Sequence, residues 1–100
     1  MAHFLLIYEF SADYLERRGA FRGAHLGYAW AAAERGELVL AGALADPADR
    51  GILLFEGEDP AVVEAFAAAD PYVIAGLVLS WRVRRWTTVV GDAAATPVRS

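Results

Sequence analysis

Residues 37–56, with the sequence ELVLAGALADPADRGILLFE, decide the fold of this chain. Residues 37–44 and residues 51–56 are short apolar runs of the length and composition that predict strands. Residues 45–50 lie between them and include an aspartate–proline pair, which is typical of a turn. The segment therefore predicts a β-hairpin.

A strand and a helix precede the hairpin. Residues 3–10 form an apolar, aromatic-rich run that predicts a strand. Residues 14–35 predict a helix, but Gly19 and Gly23 weaken its opening, so we expect a firm helix only from about Arg22. Gly36 follows directly and fits the end of that helix.

A second helix and a last strand follow the hairpin. Asp59-Pro60 predicts a helix start, with Asp59 as N-cap and Pro60 at the first helical position, and the helix ends near residue 69. Asp70-Pro71 repeats this signal for a short helical turn ending at Gly76. Residues 77–90 predict a long final strand.

The resulting order of elements predicts an α+β, ferredoxin-like βαββαβ sandwich. Its four-stranded antiparallel sheet carries two main helices on one face. We expect residues 1–90 to form the domain and residues 91–100 to form a flexible C-terminal tail.

The predicted strands are apolar on both sides, which a sheet covered on one face does not require. The first strand alternates residues such as Leu6 with Leu5 and Ile7, and the hairpin strands are similar. The simplest second cover is another copy of the chain, so a homodimer through the sheet face is predicted, with Leu6 a candidate contact. The alternative is a monomer with scattered exposed apolar residues.

Composition excludes several classes of protein. The chain has 100 residues, is 57% hydrophobic and carries a formal net charge of -4, which argues against a nucleic-acid binder. It has no cysteine, so disulfides and thiolate sites are excluded. All of its basic residues are arginine, so it has no Schiff-base or phosphate-loop lysine; with the many alanines, this is typical of a high-GC bacterial genome.

The sequence predicts neither a membrane-spanning segment nor a cofactor site. The first apolar run is too short to span a bilayer and lacks the features of a signal peptide, so a cytoplasmic location is expected. No metal-ligand spacing, nucleophile elbow or dinucleotide fingerprint is present, so neither a metal site nor a cofactor is predicted.

Two histidines are available for chemistry, and His3 at the start of the first strand is expected to have no role. His25 lies on a helix face between aromatic and cationic neighbours, which suits a proton-transfer group. Its other interpretation is a half-buried histidine bonded to a carbonyl. Asp70 is the natural partner for His25, although helix capping alone also explains Asp70, as it explains Asp59.

Three spaced motifs resemble those of the YciI-like (YCII-related) proteins. Residues 22–26, RGAHL, resemble the family's Arg-x-x-His-Leu motif, and residues 36–42, GELVLAG, resemble its Gly-x-Leu-x-x-Ala-Gly strand. Residues 70–76, DPYVIAG, resemble its Asp-Pro-Tyr-Val-x-Ala-Gly segment. The resemblance covers about residues 3–86. Ala43 departs from it, because many members have proline there.

The resemblance implies a dimeric α/β barrel with sheets packed face to face. It also implies a pocket with a catalytic histidine–aspartate pair, His25 and Asp70, and with Tyr72 and Arg22 beside a substrate. A characterised relative type removes chloride from a chlorinated hydroxyhydroquinone, and related barrels include muconolactone isomerases. We further expect the sheet-to-sheet dimer to wall off the pocket.

The sequence leaves more than one function open. The first is a cofactor-independent enzyme that uses His25 and Asp70 for proton transfer in an elimination or isomerisation of a small cyclic or phenolic compound. The second is a non-catalytic module that binds a small metabolite or serves a larger complex. The third is a protein that stabilises a partner through its apolar sheet face.

Overall fold

A computed structural model describes residues 1–100 of the chain. The strands are β1 (Ala2–Phe10), β2 (Leu38–Ala43), β3 (Arg50–Gly57) and β4 (Val78–Trp86). The helices are α1 (Tyr14–Arg17), α2 (Arg22–Glu34), α3 (Ala61–Ala69) and α4 (Pro71–Ile74), with a 3₁₀ turn at Arg18–Ala20. The strands form one sheet in the order β2-β3-β1-β4, with every pair antiparallel. This confirms the ferredoxin-like βαββαβ fold.

The helix boundaries follow the sequence signals closely. The opening of the first helical region is interrupted at the 3₁₀ turn that contains Gly19, and the firm helix begins at Arg22 as predicted. Gly36 ends that region with a φ of 80°, a left-handed conformation that glycine adopts without steric cost. α3 begins at Ala61, one residue later than predicted, so Pro60 rather than Asp59 holds the N-cap position. The Asp59 carboxylate still accepts a hydrogen bond of 2.8 Å from the Ala61 N–H.

The two faces of the sheet differ in what covers them. Phe4, Leu6, Tyr8 and Phe10 of β1 are buried under the helices. Because side chains alternate along a strand, Leu5 and Ile7 point to the opposite face, the open face, which carries no helix, and they are half-buried there. The prediction that Leu6 could contact a partner is therefore wrong: its side chain is 0% exposed and lies in the core of its own chain.

The last strand ends earlier than predicted, at Trp86 rather than near residue 90. Thr88 makes other hydrogen bonds: its hydroxyl bonds His3 Nδ1 at 2.6 Å, and its carbonyl accepts from the Thr96 N–H at 3.0 Å. The Val89 carbonyl accepts from the Val98 N–H at 2.9 Å, so part of the C-terminal segment folds back along residues 88–89. His3, expected to have no role, contacts this segment. The flexibility of residues 91–100 stays a prediction.

No helix is both long and apolar enough to cross a membrane.

Candidate functional site

A cavity of about 320 Å³ lies between α2 and the helix-covered face of the sheet. Tyr8, Phe10 and Leu53 form part of its floor, and residues 38–43 of β2 form one wall. Except for Leu38, the β2 residues are exposed, and β2 is an edge strand of the sheet. Such a volume is at the small end of the range for ligand pockets, and it suits a compound with one ring.

The cavity and the open face of the sheet lie on opposite sides of the sheet. Its floor residues share the side of β1 that carries Leu6, whereas Leu5 and Ile7 point away from it. A second sheet packed on the open face would not enclose the cavity. The expectation that a sheet-to-sheet dimer walls off the pocket is therefore wrong.

Asp70 is held below the cavity by the start of α4. It lies between α3 and α4 with extended backbone, φ -63° and ψ 127°, and it caps α4 through a 2.9 Å bond from the Tyr72 N–H to Oδ1. Its side chain is completely buried. Capping accounts for one hydrogen bond to this carboxylate, and two more reach it from other elements.

Those two bonds come from His25 and Tyr8. His25 Nδ1 lies 2.8 Å from Asp70 Oδ1, and the Tyr8 hydroxyl donates to Oδ2 at 2.7 Å. Because the carboxylate accepts from the Tyr8 hydroxyl and the Tyr72 N–H, its bond with His25 requires a proton on Nδ1 if Asp70 is ionised. The structure thus brings together His25 and Asp70, which are 45 residues apart in sequence.

The second ring nitrogen of His25 remains available. Nε2 has no hydrogen-bond partner, yet no buried side-chain nitrogen or oxygen is left unpaired, so Nε2 is accessible. The His25 side chain is 14% exposed and lines the cavity. In the tautomer that Asp70 favours, Nε2 carries a lone pair and can accept a proton from a bound molecule.

Tyr72 fixes the plane of the imidazole. The two rings are stacked, with centroids 3.9 Å apart and planes 7° from parallel. Tyr72 in turn meets Tyr14 edge to face at 5.8 Å. Burial raises the pKa of the Tyr72 hydroxyl, and the nearby charges of Arg22 and Arg18 oppose that shift. Tyr72 therefore lines the cavity as a neutral aromatic side chain.

Arg22, the fourth predicted site residue, lies at the first position of α2 and lines the cavity. It is exposed and makes no side-chain hydrogen bond or ion pair within the chain, so its guanidinium is free to meet a ligand. All four predicted residues thus border the cavity or, for Asp70, lie directly beneath His25. Their roles in binding or catalysis stay predictions.

Sequence reasoning missed Tyr8. Burial, the charge of Asp70 and the hydrogen bond to Asp70 raise the pKa of the Tyr8 hydroxyl far above its ordinary value, so it remains a donor. The signal available was its place on the buried side of β1, where a tyrosine hydroxyl needs a partner. That pattern does not say that the partner is Asp70. Nowhere in the structure do three His, Cys, Asp or Glu side chains converge.

Comparisons with known proteins agree with this architecture. The family model of the YCII-related domain matches residues 1–87. No curated protein matches the sequence. Among solved structures, 5-chloro-2-hydroxyhydroquinone dehydrochlorinase from Burkholderia phenoliruptrix AC1100, in complex with 2,5-dihydroxybenzoquinone, superposes with a TM-score of 0.72 and 23% identity. The match covers 86% of this chain and 94% of that chain, and it shows a shared fold.

Proposed function

We propose that this chain, which belongs to the YCII-related domain family, is a cofactor-independent lyase or isomerase that moves a proton with His25 and Asp70. Its substrate is a small cyclic or phenolic compound bound in the cavity. The observation that carries the proposal is the orientation of His25, with Nδ1 bonded to the buried Asp70 and Nε2 accessible beside the cavity.

The chemistry follows from that orientation. Nε2 accepts a proton from an O–H or C–H of the substrate, and the electrons of that bond enter the ring system. In an elimination they form a new double bond as the leaving group departs with its own electron pair. In an isomerisation the imidazolium returns the proton to a different atom. Asp70 stabilises the imidazolium in both cases, and this attraction is stronger in a dry interior than in water.

The size and lining of the cavity support a compound with one ring. The solved relative is named for its action on a chlorinated hydroxyhydroquinone and holds a dihydroxybenzoquinone, both of which have one ring. In this chain the apolar surface that would contact such a ring includes Leu26 and Ala29 of α2 and Leu53 of β3. The hydroxylated arenes are accordingly the first substrates to try.

The test is turnover of a panel of hydroxylated arenes and lactones, including 5-chloro-2-hydroxyhydroquinone with chloride release as the readout. We expect His25→Ala to lower the rate by about 10²–10⁴-fold, the usual contribution of a general acid or base. His3→Ala is the matched control, because His3 lies at the far end of β1 and bonds Thr88. Equal rates for wild type and His25→Ala would remove His25 from the mechanism.

The alternative is a non-catalytic module that binds a small metabolite or serves a larger complex. In its favour, the cavity lining is mostly apolar, its single histidine is His25, and no serine, aspartate or glutamate is among the lining residues. A ligand that raises the melting temperature and is recovered unchanged would favour this function. Formation of product from the same ligand would favour the enzyme.

We also propose that two copies pair through the open face of the sheet. The centre of that face is formed by Leu5, Ile7, Ile52 and Leu54, which the register places opposite one another. Glu9 and Arg50 pair across the strands at one end of it. An apolar centre with charged residues around it is typical of a protein interface, and a two-fold axis would pack this face of one copy against the same face of the other.

A further inference from the structure

The charge of the cavity is opposite to that of the whole chain. The chain has 13 acidic residues and a net charge of -4. Two arginines, Arg18 and Arg22, line the cavity, and no aspartate or glutamate does. The nearest carboxylate beneath the lining is Asp70, whose oxygens already accept three hydrogen bonds. An acidic protein therefore presents a cationic binding site.

Both guanidinium groups lack a partner within the chain. The arginines that form ion pairs are Arg17, Arg35 and Arg50. Arg18 and Arg22 make no ion pair, and their side chains make no hydrogen bond. Each guanidinium has five N–H donors, so a pair of them beside one cavity is a strong set of unused donors.

Arg18 is oriented by an aromatic stack. Its guanidinium carbon lies 5.4 Å from the centroid of the Tyr14 ring. Tyr14 is buried and stacks on Phe10 with centroids 3.7 Å apart. A guanidinium over an aromatic face retains its N–H groups at its edge, where they can bond a ligand. Arg18 is thus half-buried and directed, whereas a surface arginine is free to rotate.

Arg22 lies one helical turn before His25. Residues three positions apart on a helix have Cβ atoms about 5–6 Å from each other, which is close to the width of one ring. The charges of Arg22 and Arg18 also act on Tyr72, the residue stacked against His25. Arg22 and His25 thus lie close together on α2 and line the same cavity as Arg18, so one bound ligand can meet all three side chains.

From this arrangement we infer that the cavity selects a one-ring compound that carries a carboxylate, bound by Arg18 and Arg22. A carboxylate suits these side chains because its two oxygens match the planar fork of a guanidinium. The placement of the reacting proton at His25 rests on the proposed function. The preference for a carboxylate is a property of binding alone.

The experiment compares two probes of nearly equal shape, protocatechuate and its primary amide. Isothermal titration calorimetry with the full chain measures both dissociation constants without any turnover. We expect the carboxylate to bind about 10- to 100-fold more tightly than the amide, because hydrogen bonds to a charged group are the stronger ones. The preference should decrease as salt is added.

Substitutions then locate the preference. Arg18→Gln or Arg22→Gln should each reduce the ratio of the two dissociation constants by about tenfold. Arg35→Gln is the matched control, because it removes the same charge at the end of the same helix, where Arg35 pairs with Glu37 outside the cavity. The ratio should be unchanged in this control.

Three results would overturn the inference: equal affinity for the two probes, a ratio that Arg18→Gln and Arg22→Gln leave unchanged, or no binding of either probe at millimolar concentration. Each is distinct from a failure of the proposed function. An enzyme that turns over neutral arenes through His25 without preferring the carboxylate would retain the function and lose this inference. Carboxylate preference without any turnover would retain this inference and lose the proposed function.

Discussion

The Tyr8 hydroxyl donates a hydrogen bond of 2.7 Å to Oδ2 of Asp70, and both side chains are fully buried. This bond joins the centre of the sheet to the segment that begins α4. With Oδ2 engaged by Tyr8, Oδ1 faces His25 Nδ1 and the Tyr72 N–H. Tyr8 therefore acts on the candidate site by fixing the rotation of the Asp70 carboxylate.

We predict that Tyr8→Phe lowers the free energy of unfolding by about 1–3 kcal/mol, because Asp70 Oδ2 loses its partner in a dry interior. Urea denaturation checks this. Tyr28→Phe is the control, since the Tyr28 hydroxyl bonds the Phe66 carbonyl at a half-buried position and its loss should cost less. A Tyr8 variant as stable as the Tyr28 variant would show that this carboxylate does not depend on the bond.

The stability of the protein should fall in alkali. Burial raises the pKa of Tyr8, Tyr28 and Tyr72 in the folded chain, whereas unfolded tyrosine titrates at about pH 10. Above that pH the unfolded chain binds fewer protons than the folded chain, so the free energy of unfolding decreases as the pH rises, and it is unaffected by these groups well below pH 10.

Because the chain has no lysine, no amine side chain titrates in the pH range in which tyrosine does. Urea denaturation from about pH 8 upward gives the slope, and the ultraviolet absorbance of phenolate follows the tyrosines of the folded protein. Tyr8→Phe should make the slope shallower. A constant stability across this range, or phenolate absorbance that rises in the folded protein as early as in urea, would contradict the prediction.

Much of the fold could be predicted because its signals are local. Asp59-Pro60 and Asp70-Pro71 mark helix starts, and Gly36 and Gly76 end helical segments with positive φ. The motifs that contain His25 and Asp70 can be recognised in the sequence without knowledge of the fold. Local signals of this kind act over a few residues and do not depend on the distant chain.

What could not be predicted depends on contacts between distant residues. Alternation in β1 separates Leu6 from Ile7 but does not say which side the helices cover, so the contact residue for a partner was misplaced. The bond of Tyr8 to Asp70 spans 62 residues. His3 likewise bonds Thr88, two residues beyond the end of β4, across 85 residues of sequence.

We predict that position 51 has no room for a side chain, not even a methyl group. A Cβ at this position would lie 2.8 Å from Phe10 Cζ, and Phe10 cannot move freely because it is stacked on Tyr14. Gly51→Ala should therefore destabilise the protein by about 1–3 kcal/mol. Gly57→Ala in the same strand is the control, as its Cβ would have no neighbour within 4 Å. Equal unfolding free energies for the two variants would show that the Phe10 stack yields at no cost.

The proposed dimer should depend on Ile7 rather than on Leu6. Analytical ultracentrifugation of the wild type should give twice the chain mass of 10.8 kDa, and Ile7→Glu should give the single mass, because it places a charge at the centre of the open face. Val62→Glu adds the same charge at an exposed position of α3 and should leave the dimer intact.

The same variants test the independence of the cavity from the dimer. The Ile7→Glu monomer should still bind a cavity ligand, since the cavity lies on the other side of the sheet. A wild type that sediments at the mass of one chain would contradict the dimer. A monomeric variant that has lost ligand binding would show that the second copy contributes to the site.

The most direct test of the central claim is the protonation of the His25 ring, measured by long-range ¹⁵N–¹H NMR correlation well above the ordinary histidine pKa of about 6.5. Asp70 should hold the proton on Nδ1, leaving Nε2 unprotonated towards the cavity, and Asp70→Asn should disturb that arrangement. His3, the other histidine, should be unaffected by Asp70→Asn and serves as the internal reference. A His25 ring protonated on Nε2 would contradict its assignment as the group that accepts the proton.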